Sequence, residues 1–127
     1  MSSDSPSGRS VLLVEDDPTI LGAMKMVLEW EGYEVACASN GQEALERLRA
    51  GERPSLILLD VMMPVLDGRQ FREEQKRDPD LASIPVVVVS AVEGSREVDA
   101  AGHVQKPFQV EELLETVRRQ EQHTASE

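Results

Sequence analysis

Short runs of branched apolar residues, each followed by a polar turn and a helical stretch, recur along the chain and constrain its fold more than any other feature. Val11-Leu12-Leu13-Val14, Leu56-Ile57-Leu58-Leu59 and Val86-Val87-Val88-Val89 contain no polar side chain. Runs of that length and composition read as strands, and a strand apolar at every position belongs in a parallel sheet covered on both faces. Two weaker segments, Tyr33 to Cys37 and Gly102 to Gln105, read as further strands. Between the runs the apolar spacing lengthens to that of helices. Asp17-Pro18 is a helix start, with an N-cap acid and Pro at the first helical position, and Ile20, Leu21, Met24, Val27 and Leu28 follow on one face as far as Gly32. Asn40-Gly41 opens a second helix that carries Ala44, Leu45 and Leu48 and ends near Gly51. Asp67-Gly68 begins a third, with Phe71, which Asp78-Pro79 marks as ending; a last helix carries Val110, Leu113, Leu114 and Val117. The stretch from Glu93 to Ala101 has room for two helical turns at most, so the helix after the fourth strand is expected to be shortened or irregular.

Strands alternating with helices imply βαβ crossovers and hence a doubly wound α/β fold with a five-stranded parallel sheet. A strand order of 2-1-3-4-5 would put the first and third strands side by side at the point where the winding reverses. The chain has 127 residues, enough for one domain with its own core. Residues 1–8 are small and polar and are expected to be a disordered leader, residues 9–120 the folded domain, and residues 121–127 a polar tail.

Charge and composition exclude several functions. A net charge of -11 leaves no basic face for nucleic acid or an anionic membrane, and 3% aromatic content leaves no stacking surface for bases. Cys37 is the sole cysteine and cannot form an internal disulfide; with no apolar leader or membrane span, the expected location is the cytoplasm.

The polar residues at the strand ends carry the chemistry. The first strand runs into Glu15-Asp16-Asp17, the third ends at Asp60, the fourth at Ser90, and the fifth leads to Lys106-Pro107. Taken singly, each has an ordinary reading: Asp17 as a helix cap, Asp60 and Ser90 as turn residues, Lys106 as a solvated side chain. Capping does not account for Glu15 and Asp16 as well, because further acids in one turn repel one another unless a cation neutralises them. Carboxylates converging on one point suit magnesium, which takes one or two of them together with waters and a phosphate. A carboxylate there can also attack a phosphoryl group, with a lysine and a hydroxyl to orient and neutralise its oxygens.

Val14-Glu15-Asp16-Asp17-Pro18, Asp60 followed by Met63-Pro64 and Asp67-Gly68, Ser90-Ala91, and Lys106-Pro107-Phe108 together resemble the receiver domain of two-component response regulators, over about residues 9 to 120. The resemblance implies a flavodoxin-like fold that accepts a phosphoryl group from a sensor histidine kinase or phosphotransfer protein, with Mg2+ required. It further implies Asp60 as phosphoacceptor, Asp16 as direct metal ligand, Glu15 as a ligand through water, and Met62 as donor of its backbone carbonyl to the metal. Ser90 corresponds to the hydroxyl that follows the phosphoryl group and Lys106 to its ion-pairing amine. Such a protein signals by a conformational change to a downstream partner, which the sequence does not name, and is not a dedicated enzyme. No output region follows Gln120, so the domain is expected to act alone.

Three features depart from the pattern. The segment from Ser90 to Lys106 is short, which places the usual signalling face in question. His103 stands where the family usually has Tyr or Phe as a rotameric switch; it reads equally as a surface histidine or as a switch sensitive to pH. Met62 and Val92 stand at the two positions that in the family flank the path of attacking water, and the resemblance with apolar groups there implies slow loss of phosphate. Two other functions compete with the receiver. A pseudo-receiver serving only as a binding module would leave the acids, Ser90 and Lys106 unused. A haloacid-dehalogenase-type phosphatase would want a second acid where Met62 stands.

Overall fold

The computed structural model describes residues 10–60, 68–90, 101–105 and 110–125. Its elements are β1 (Ser10–Val14), α1 (Pro18–Trp30), β2 (Glu34–Ala38), α2 (Gly41–Arg49), β3 (Leu56–Asp60), α3 (Gly68–Arg77), α4 (Pro79–Ala82), β4 (Val86–Ser90), β5 (Gly102–Gln105) and α5 (Val110–Ala125). All strand pairs are parallel, and the order in the sheet is β2-β1-β3-β4-β5. This is the doubly wound α/β arrangement expected from the alternation of runs.

Each strand divides its side chains between two cores, because successive residues point to opposite faces. Leu12, Val14, Ile57, Leu59, Val86 and Val88 pack with Ala44, Leu45 and Leu48 of α2, Phe71 of α3 and Leu81 of α4. Val11, Leu13, Leu56, Leu58, Val87, Val89 and Val104 pack on the other face with Met24 and Leu28 of α1 and Leu113, Leu114 and Val117 of α5. Branched residues at the first four positions of β3 and β4 are thus required by burial on both sides.

The helix ends follow local chemistry. Asp17 caps α1 through its carboxylate, which accepts from the Thr19 and Ile20 amides, and Asn40 caps α2 by accepting from the Glu43 amide at 2.8 Å. Both helices stop at a glycine with positive φ, Gly32 at 96° and Gly51 at 113°. In each case the glycine amide donates two residues inside the helix end, Gly32 to Glu29 and Gly51 to Leu48, while the next amide reaches one residue further back. This paired closure turns the chain sharply toward the next strand.

Two elements differ from the sequence reading. Asp78-Pro79 does not simply end α3; it starts the separate helix α4, with Asp78 as N-cap accepting from the Asp80 amide. The last helix continues past Gln120 to Ala125, since Glu121-Gln122-His123-Thr124 contains no glycine or proline to stop it. The leader at 1–8 and the shortened segment following Ser90 lie outside the described residues, apart from Ala101 and β5 at its far end.

Candidate functional site

The register of the sheet builds the site. Val14 pairs with Leu59 across β1 and β3, so Glu15 and Asp60, the next residue on each strand, emerge side by side at the carboxyl edge. Glu15 is held there by its amide, which donates to the Ala38 carbonyl at 3.1 Å. Glu15 shares its parity with Val11 and Leu13, and Asp60 with Leu56 and Leu58, so both belong to the face covered by α1 and α5. Asp16 follows directly in the turn between β1 and α1.

One carboxylate oxygen from each of Glu15, Asp16 and Asp60 lies within 4.8 Å of the others. Oxygens sharing one octahedral magnesium, bound at about 2.0–2.1 Å, stand about 3–4 Å apart, so a set this close can hold a single ion, in part directly and in part through the waters that magnesium keeps. Burial separates the three roles. Glu15 and Asp60 are 2% and 6% exposed, whereas Asp16 is exposed. Two buried carboxylates beside a third raise one another's energy through repulsion, and a hard divalent cation relieves it. The donor set is all oxygen, which suits magnesium and not a thiolate-seeking metal.

Asp17 has a different task. Its carboxylate is committed to the α1 amides, and its own amide donates to Glu15 Oε2 at 3.3 Å. The cap thereby fixes Glu15 while staying out of the cluster. Ser90 ends β4, one residue beyond Val89, the register partner of Asp60, and is itself paired with Gln105. Its backbone therefore reaches the same edge as Asp60. Lys106 follows Gln105 immediately; Lys106, Met62 and Val92 lie outside the described residues. His103 is the second residue of β5, in register with Val88. Burial pushes the Cys37 thiol up, outweighing the opposite pull of Lys25 and Arg47. No helix among the described residues is long and apolar enough to cross a membrane.

Sequence reasoning missed one buried polar group and one exposed apolar patch. Gln75, fully buried in α3, donates to the Leu81 and Ile84 carbonyls at 2.7 and 3.1 Å and accepts from Arg72 at 2.8 Å. Its spacing of four from Phe71, which puts both on one face of α3, is the signal that could have found it. Trp30, off the apolar stripe of α1, is 84% exposed.

Known proteins resemble this chain in sequence and fold. The family described as the response regulator receiver domain matches residues 11–118. The transcriptional regulatory protein CrdR of Helicobacter pylori is 36% identical over 117 residues, covering 87% of this chain and 54% of CrdR. The chain spans about half the length of several curated relatives it matches. The polar-differentiation response regulator DivK of Brucella anthropi is 33% identical over 116 residues, covering 87% of this chain and 94% of DivK. Among solved structures, the receiver domain of a sensor histidine kinase from Pseudomonas aeruginosa PAO1, with a magnesium ion coordinated in its active site cleft, superposes with a TM-score of 0.82 at 29% identity, covering 91% of this chain and 98% of that one.

Proposed function

The chain belongs to the response regulator receiver family, and from that membership we propose that Asp60 accepts a phosphoryl group in a magnesium-dependent reaction. The observation that carries this reading is the convergence of Glu15, Asp16 and Asp60 at the junction of β1 and β3. In the transfer, an Asp60 carboxylate oxygen bonds to phosphorus while the P–N bond of a donor phosphohistidine breaks. The electron pair leaves with the imidazole nitrogen, which takes up a proton, and an acyl phosphate is formed. A bound magnesium supplies charge neutralisation at the phosphoryl oxygens. Asp16, exposed at the mouth, would hold the ion directly, and buried Glu15 would hold it through water. By family resemblance Met62 would add its backbone carbonyl, Lys106 would pair with the phosphoryl group and Ser90 would donate a hydroxyl to it.

The donor is a histidine kinase or phosphotransfer protein, in keeping with the kinase-borne receiver and the response regulators that this chain resembles. The protein acts in the cytoplasm as a signalling switch and not as a dedicated enzyme. Phosphate and magnesium favour the active arrangement of the edge around Ser90 and His103, and a partner reads the difference. Beryllofluoride with magnesium mimics the phosphoryl group, and backbone amide shifts report the outcome. Shifts at residues 15, 16 and 60 that extend through Ser90 to His103 are expected. Shifts confined to the acids would leave a binding site without a switch, and no shifts at all would remove the phosphoacceptor reading.

A further inference from the structure

We infer that Asp17 is a positioning residue for the cation site: as the cap of α1 it holds the amide that orients the Glu15 carboxylate, and so raises the affinity for magnesium. The inference rests on the reading of Glu15, Asp16 and Asp60 as that site.

Asp17 stands at the joint between β1 and α1, and its bonds run in both directions. Forward, its carboxylate accepts from the Thr19 amide at 2.9 Å and the Ile20 amide at 3.3 Å, and its carbonyl accepts from the Leu21 amide at 2.9 Å. Backward, its amide donates to Glu15 Oε2 at 3.3 Å. Pro18, at the first helical position, restricts the residue before it to extended backbone, and Asp17 has φ -83° and ψ 113°. Fixed from its helical side, Asp17 aims its amide at Glu15.

Glu15 needs such a hold. Its long side chain has several torsions to order, and at 2% exposure a carboxylate turned away from the cluster would still be buried. Hydrogen bonds from outside a metal's own ligands orient those ligands, and their loss commonly lowers metal affinity by about 10–100-fold. Asp17 occupies that outer position. Its oxygens are not among those of Glu15, Asp16 and Asp60 that converge within 4.8 Å, and its carboxylate serves the first amides of α1. There the helix dipole offsets its charge and solvent screens it, so the cap and not the charge is what reaches the cation.

Backbone amide signals of the isotope-labelled whole chain are followed during titration with magnesium chloride alone, so that no phosphoryl transfer enters the measurement. The parent is expected to saturate. Asp17→Asn, a cap of equal rank without the charge, is expected to bind within about threefold of the parent. Asp17→Ala is expected to bind about tenfold more weakly, at the low end of such losses because the backbone amide remains. Asp17→Gly, tolerated at an N-cap and so protective of the fold, is expected to lose affinity in the same way. A cap that served the helix alone would lower stability in Asp17→Ala yet leave the dissociation constant of the folded protein unchanged. Parent-like affinity in Asp17→Ala or Asp17→Gly therefore overturns the inference and leaves the magnesium site standing. Equal losses in Asp17→Asn and Asp17→Ala assign the effect to charge and overturn it as well. A parent that binds no magnesium removes the reading of the site itself, and the inference with it.

Discussion

Glu15, Asp16 and Asp17 are consecutive acids with separate tasks, and backbone position alone divides them. Glu15 continues β1 and is buried beside Asp60, Asp16 stands exposed in the turn, and Asp17 caps α1. A similar division operates at α2, where Asn40 caps the helix and Glu43 reaches back to the Ser39 amide and hydroxyl, both at 2.8 Å. The Ser39 amide first, and its hydroxyl second, hold the Glu43 carboxyl below its ordinary value of 4.5. A carboxyl lowered by folding stabilises the native state fully above its unfolded pKa and ceases to do so as the pH falls through its native one. Solvent screening at this exposed site keeps the effect small. Glu43→Ala is therefore expected to cost about 0.5–1 kcal/mol in urea unfolding at neutral pH, with the gap from the parent narrowing in acid. A gap independent of pH would show that the charge of Glu43 contributes nothing.

Among the elements, α3 and α4 depend on one amide. Gln75 holds the Leu81 and Ile84 carbonyls inside the protein, and so ties α3 to the chain entering β4, whose end carries Ser90. Gln75→Leu keeps the volume but strands two acceptors, at about 1–3 kcal/mol for each buried group left unpaired. A loss of that order in chemical denaturation is expected, and a neutral result would mean that water replaces the amide. The sequence made β1, β3 and β4 legible because burial on both faces forces unbroken apolar runs. It made α1 and α2 legible because Asp17-Pro18, Asn40-Gly41, Gly32 and Gly51 are local signals of helix start and stop. It concealed α4, since a helix from Pro79 to Ala82 is too short to show a period, although Asp78-Pro79 repeats the start signal of α1. Gln75 lies one turn after Phe71 on the buried face of α3, but its polar side chain disguised that placement, because its partners are the Leu81 and Ile84 carbonyls opposite. The acids of the site were readable from their places at strand ends. Their convergence required the β1–β3 pairing.

At the scale of the whole molecule, the order β2-β1-β3-β4-β5 accounts for why these acids meet. Winding outward in both directions from the β1–β3 junction leaves a crevice at that carboxyl edge, and the residues that end β1 and β3 line it. The net charge of -11 opposes the close approach of a polyanion. The central claim is that Asp60 is the phosphoacceptor and needs the cation held with Asp16. Its most direct measurement is labelling of the whole chain with a small acyl phosphate donor, with and without magnesium, and mapping of the modified residue by mass spectrometry. The account predicts phosphate on Asp60 only when magnesium is present, and none in Asp60→Asn. Labelling on another residue, labelling of Asp60 that is indifferent to magnesium, or no labelling with magnesium present would contradict it.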